Sequence, residues 1–166
     1  MRIGIISDTH SQFDRTREAV SLLQGEGIEA LIHCGDIVNP GIISLCAPVP
    51  SWFVFGNNDD YPIENLNAIR QAIGEVNGVC LEWGGEVELA GKRLAVTHGH
   101  SHGEFRRLMK ANPDYLFTGH THEMLDDRRG STRHINPGAL HRAPVYSVAV
   151  LDLASDDLRF LTIPRR

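Results

Sequence analysis

The chain has 166 residues, close to the prior of roughly 150 residues per domain, and reads as one domain over residues 1–166. Its 42% hydrophobic and 22% charged residues exclude a disordered chain. The formal net charge of −5 offers no strong nucleic-acid signal, and no apolar run approaches the ~18 residues of a membrane span.

Residues Ile3 to Ile6 form a short β-branched apolar run and predict a buried strand. This start is too short for a secretory signal. Helical spacing follows from Asp14 to Gln24, with Ala19, Val20 and Leu23 on one face, and Gly25 and Gly27 end it. Ala30 to Cys34 is a second strand, closed by Gly35-Asp36. Asn39 and Pro40 fit the N-cap and first residue of a short helix through Leu45. Trp52 to Phe55 is a third strand and Ile63 to Ile73 a helix, so this half predicts a mainly parallel sheet.

The second half is strand-rich and reads as mostly antiparallel. Glu86 to Leu89 alternates and turns at Gly91-Lys92 into Leu94 to Val96. A helix from Gly103 to Lys110 precedes Tyr115 to Phe117. Further strands lie near 124–128, 132–135, 145–152 and 158–163, with turns at Gly130 and Asp156-Asp157. The expectation is two sheets with helices outside.

Five polar motifs each follow an apolar strand: Asp8-Thr9-His10, Gly35-Asp36, Gly56-Asn57-Asn58-Asp59, Thr97-His98-Gly99-His100 and Gly119-His120-Thr121-His122. Loops beyond the carboxyl ends of strands are where α/β sheets bind ligands. The nine histidines are therefore placed rather than scattered. Asp8, Asp36, His10, His98, His120, His122 and Asn57 together offer seven ligands, too many for one tetrahedral ion. Their mixed nitrogen and oxygen donors suit two divalent first-row ions such as Mn2+, Fe2+, Ni2+ or Zn2+. Mn2+ is the leading expectation, with Mg2+ a further alternative. Two ions ~3.5–4 Å apart form the clamp used for in-line displacement at phosphorus. Cys34, Cys46 and Cys80 have no C-x-x-C spacing, read as free thiols and predict a reducing, cytoplasmic compartment.

These motifs resemble those of the calcineurin-like metallophosphoesterases: D-x-H, G-D, G-N-H-[DE], H and G-H-x-H. The motifs span residues 8 to 122, and the likeness covers nearly the whole chain. It is nearest to the small single-domain prokaryotic phosphodiesterases, in Ile32 to Asp36, Gly56 to Asp59 and Ile135 to Gly138. The resemblance implies an α/β fold, a four-layer α/β/β/α sandwich of two mixed sheets. It implies that Asp8, His10, Asp36 and His122 hold one ion and that Asp36, Asn57, His98 and His120 hold the second. It also implies hydrolysis of small phosphodiesters by a metal-bridging hydroxide. Alternatives are a phosphomonoesterase on the same site, or a non-catalytic scaffold like the retromer subunit of this fold.

One position departs from the pattern. The family's G-N-H-[DE] histidine is implied to protonate the leaving group, and here it is Asn58, which can donate a hydrogen bond but is no acid at neutral pH. Asp59 is a candidate for orienting Asn58 or an imidazole, and His100 or His102 for a substitute acid. Arg142, after the turn Asn136-Pro137-Gly138, is a candidate phosphate contact. His33, inside an apolar strand, reads as a core residue or a support behind the ligands. His134 and His141 carry no readable signal. Oligomeric state is not encoded in any motif, and a symmetric dimer is the default.

Overall fold

The computed structural model describes residues 1–165 and contains eleven strands and four helices in that span. In chain order these are β1 (Arg2–Ile6), α1 (Phe13–Gly25), β2 (Ala30–His33), α2 (Gly41–Leu45), β3 (Ser51–Phe53), α3 (Ile63–Glu75), β4 (Val79–Cys80), β5 (Gly84–Leu89), β6 (Lys92–Thr97), α4 (His102–Lys110), β7 (Tyr115–Phe117), β8 (Met124–Arg129), β9 (Thr132–Pro137), β10 (Tyr146–Asp152) and β11 (Asp157–Ile163). No helix among the described residues is long and apolar enough to cross a membrane.

The first sheet has the order β11-β10-β1-β2-β3-β4 and the second β5-β6-β7-β9-β8. Strands β1 to β4 run parallel, as the β-α-β-α-β rhythm of the first half predicts. The second half differs from expectation in two ways. Strands β10 and β11 cross back into the first sheet, where β10 pairs antiparallel with β1. The second sheet is mixed, as the resemblance implies, because β6, β7 and β9 are parallel neighbours where the residues alone read as mostly antiparallel. Helix α4 makes the crossover from β6 to β7 that a parallel pair requires.

Both faces of the first sheet are covered. Ile3, Ile5, Ala30 and Ile32 point into the cluster between the sheets, with Leu94, Val96, Phe117 and Ile135 opposite. Ile6 and Leu31 point the other way, onto Ala19, Leu23, Ile42 and Ile69 of the helices. Alternation is therefore invisible in the sequence, since inward and outward positions are alike apolar. Leu108 of α4 packs on Ala95 and Leu116 of the second sheet. The layers are helix, sheet, sheet, helix. Each fully buried Ile, Leu or Phe contributes about 1.5–3 kcal/mol relative to exposure.

Local boundaries shift by a residue or two. Helix α2 begins at Gly41, whose N–H donates to Asn39 Oδ1 at 2.9 Å. The β5–β6 turn centres on Ala90 and Gly91, both left-handed, rather than on Gly91-Lys92.

At one end of the sandwich Arg133 of β9 forms a two-pronged ion pair with Asp126 of β8, 2.8 Å at each contact. It also pairs with Asp156 of the β10–β11 turn, which accepts from Tyr115 Oη at 2.9 Å. This network fastens the sheets at the amino ends of β7 and β9. The polar motifs lie at the opposite end.

Candidate metal centre

Parallel strands place their carboxyl ends on one side. Strands β1, β2 and β3 deliver Asp8-Thr9-His10, Gly35-Asp36 and Gly56-Asn57-Asn58 from the first sheet. Strands β6 and β7 deliver His98 and Gly119-His120-Thr121-His122 from the second. The loops hold one another. Asp8 N donates to Gly35 O and His10 N to Asp36 O, both at 3.0 Å, and Gly119 N donates to His98 O at 3.0 Å. Asp8, His10, Asp36, His120 and His122 all have left-handed backbone, with φ between 41° and 69°. Such conformations are uncommon outside glycine and persist only where the surroundings over-determine them.

The side chains converge. Asp36 Oδ2 lies 3.2 Å from His10 Nε2 and 3.3 Å from His98 Nε2. Asp8 Oδ1 lies 3.1 Å from His122 Nε2 and 3.9 Å from both His10 Nε2 and His98 Nε2. One donor atom each from Asp8, His10 and His122 falls within 4.8 Å of the others, and so does one each from Asp8, Asp36 and His98. Asp8 is thus common to both groups, and Asp36 lies between His10 and His98.

The second oxygen of Asp8 is occupied by Ser7 Oγ at 2.6 Å and His120 N at 3.1 Å, which aims Oδ1 into the cluster. His98 Nδ1 lies 2.8 Å from Cys34 O, a contact only an N–H can make, so the neutral ring presents a bare Nε2. His122 Nδ1 faces Arg142 O at 3.4 Å in the same sense. Asp8 Oδ1, His10 Nε2 and His98 Nε2 are buried without a hydrogen-bond partner of acceptable geometry. Lone pairs from two carboxylates and several imidazoles facing one another call for cations between them. The set therefore fits divalent ions, and backbone carbonyls behind the imidazoles orient them as is usual for metal-bound histidine.

Electrostatics agree. Burial opposes ionisation of Asp36, yet the adjoining His10 and His98 imidazoles and the Asn58 N–H hold its carboxyl far below the usual range. Burial also opposes the His98 imidazolium, but Asp36 and Asp8 outweigh it and raise this group. Asp8 raises His122 in the same way. The Asp36 carboxylate thus remains charged and attracts positive charge, whether a proton or an ion supplies it.

Asn57 and Asn58 line the mouth, an open cavity of about 390 Å3 that also takes in His10, Asp36, His120, His122, His141 and Arg142. Asn58 donates to both Asp36 oxygens, from its backbone N–H at 2.9 Å and its amide at 2.7 Å. Asp59 does not orient Asn58 or an imidazole. It is fully buried, and its carboxylate accepts from Val38 N at 2.6 Å and Gly56 N at 2.7 Å, bracing two loops against each other. Burial pushes its carboxyl up to about 6. His100 stands beside the cluster, its ring 5.5 Å from His98 and 6.2 Å from His120, outside the residues lining the cavity. His102 begins α4 and is exposed.

His141 is a residue the sequence reading missed. Its ring stands 4.7 Å from His10 at the cavity mouth, next to Arg142. The only signal for it is the turn before it, where Asn136 Nδ2 donates to Gly119 O at 2.7 Å and Leu140 N to Asp8 O at 3.3 Å. Ser7 was likewise missed, although it directly precedes Asp8.

Three relatives frame this geometry. Phosphodiesterase MJ0936 of Methanocaldococcus jannaschii is 28% identical over 98% of this chain and 99% of its own. Phosphodiesterase YfcE of Escherichia coli K12 is 27% identical over 84% and 79%. A solved structure described as a novel archaeal phosphodiesterase superposes with a TM-score of 0.88 at 26% identity, covering 98% of this chain and 100% of that one. Residues 1–156 match the sequence profile of the calcineurin-like phosphoesterase superfamily domain. With that match over nearly the whole chain, and the five motifs gathered at one end of the sandwich, the chain belongs to the calcineurin-like phosphoesterase superfamily.

Proposed function

We propose that this chain is a phosphodiesterase that hydrolyses small phosphodiesters with two divalent ions, Mn2+ foremost. Residues 1–166 act as one domain in this reading. Asp8, His10, Asp36 and His122 hold one ion, and Asp36, Asn57, His98 and His120 the other. The observation that carries it is the meeting of Asp8 Oδ1, His10 Nε2 and His98 Nε2, three buried donor atoms without hydrogen-bond partners, at one end of the sandwich. Bound ions supply Lewis-acid charge to the phosphoryl oxygens and a nucleophile at neutral pH.

The chain's own residues do the rest. Asp36 and Asp8 offset two of the four added positive charges and leave a net positive centre that suits an anionic ester. Cys34 O and Arg142 O keep the His98 and His122 rings in their orientation. The mouth presents Asn58, His141 and Arg142 to the ester substituents. The guanidinium of Arg142, on an exposed residue, offers charge to a phosphoryl oxygen. Three unpaired cysteines support a reducing, cytoplasmic compartment.

The test is hydrolysis of an aryl phosphodiester beside the matching aryl phosphomonoester. Chelator-stripped protein is expected to be inactive, Mn2+ to restore it, and the diester to be preferred. Full activity after stripping, or preference for the monoester, would overturn the reading.

A further inference from the structure

His33 ends β2 and is fully buried, stacked near Phe53 with ring centroids 6.1 Å apart. Its Nδ1 lies 3.1 Å from Gly35 N. A backbone N–H can only donate, so Nδ1 is bare and the ring proton sits on Nε2. That Nε2 lies 3.1 Å from Thr9 Oγ1, so Thr9 accepts from the ring. The threonine hydrogen is then left to donate to Asp36 O at 3.4 Å. The hydrogen bonds run in one direction, from Gly35 N–H through His33 and Thr9 to the Asp36 carbonyl. Burial pushes the His33 imidazole down to about 3, so the neutral ring persists well into acid.

This relay crosses the gap between two loops. One carries Asp8 and His10, the other Asp36. Every ligand residue it spans has left-handed backbone, with φ of 53°, 41° and 57° in turn. Such conformations cost about 1–3 kcal/mol each and need outside support. Neither His33 nor Thr9 lines the cavity.

We propose that His33 and Thr9 are positioning residues, which set the spacing of Asp8 and His10 against Asp36 and so tune affinity for divalent cations. The proposal rests on the metal-centre reading above and assigns two residues that the ligand set leaves out.

The experiment titrates Mn2+ into stripped protein by calorimetry and records melting of the metal-free forms. Thr9→Val is close to isosteric, exchanges the hydroxyl for a methyl and leaves the His33 Nε2–H without its acceptor. It is expected to weaken Mn2+ binding by roughly 10–100-fold, the range for groups that orient ligands. Thr9→Ser keeps the hydroxyl and should bind within about twofold of the wild type. His33→Phe should lose as much as Thr9→Val, and the double variant no more than the worse single, because one relay is broken in each. Thr9→Val binding like the wild type, or Thr9→Ser losing as much as Thr9→Val, would overturn the proposal. So would losses that multiply in the double variant. If His33→Phe does not fold, the valine–serine comparison decides alone. Wild-type protein that fails to bind Mn2+ would instead sink the metal-centre reading.

Discussion

Asn58 reaches both oxygens of Asp36 and stands at the cavity mouth, where an incoming ester must pass. It donates hydrogen bonds but has no proton to give a departing alkoxide. Good leaving groups such as aryl oxides need none. Asn58→His is therefore expected to raise kcat/KM for alkyl diesters by about tenfold or more, toward the 10²–10⁴ typical of general acids, and to leave aryl diesters nearly unchanged. A leaving-group series measured on both proteins checks this; an unchanged slope would remove Asn58 from the account. The residues that converge at the site were legible because each motif abuts an apolar strand. The supporting residues were not. Asp59 looks like a member of the motif, and only its bonds to Val38 N and Gly56 N show it to be a brace. His141 follows no strand and reaches His10 through a turn whose path depends on distant contacts.

Two motif glycines explain how separate elements come so close. A Cβ on Gly56 would stand 2.1 Å from Asp36 Oδ1, and one on Gly119 would stand 1.9 Å from Ser7 Oγ and 2.6 Å from Asp8 Oδ2. The glycines serve here for lack of bulk, so that β3 and β7 can end against the carboxylates. Gly119→Ala is expected to displace Asp8, to cost about 1–3 kcal/mol in urea unfolding, and to weaken Mn2+ binding by tenfold or more. Retained affinity would show that the loop can yield without moving Asp8. Most elements were readable in the sequence from apolar runs bounded by turns. Strand β4 has two residues and no run to detect. The parallel pairing of β7 with β9 was hidden because β8 lies between them in sequence but outside them in space. The β6-α4-β7 crossover was present as strand, helix, strand, and the surrounding hairpins masked it.

At the scale of the molecule, the sandwich is held at both ends. Arg133, Asp126 and Asp156 join the sheets at one, and at the other the donors come from both sheets, Asp8, His10 and Asp36 from the first and His98, His120 and His122 from the second. Ions bound there would tie the layers together and favour only the folded state. At a free Mn2+ concentration of 100 times Kd, one site adds about 2.7 kcal/mol, or roughly 5–10 °C in Tm at this chain length. Calorimetric scans with Mn2+ and with chelator check the shift, and coincident curves would contradict it. The topology also has a bearing on how the chain comes into being. Strand β1 lies inside its sheet only because β10 pairs with it, Arg2 opposite Asp152. Synthesis proceeds from the amino terminus, so β1 waits through nearly the whole chain for that neighbour. Until β10 emerges, an apolar edge stays open, the kind of template on which strands from other chains can add. The nascent protein is therefore most exposed to misassociation just before β10 and β11 arrive.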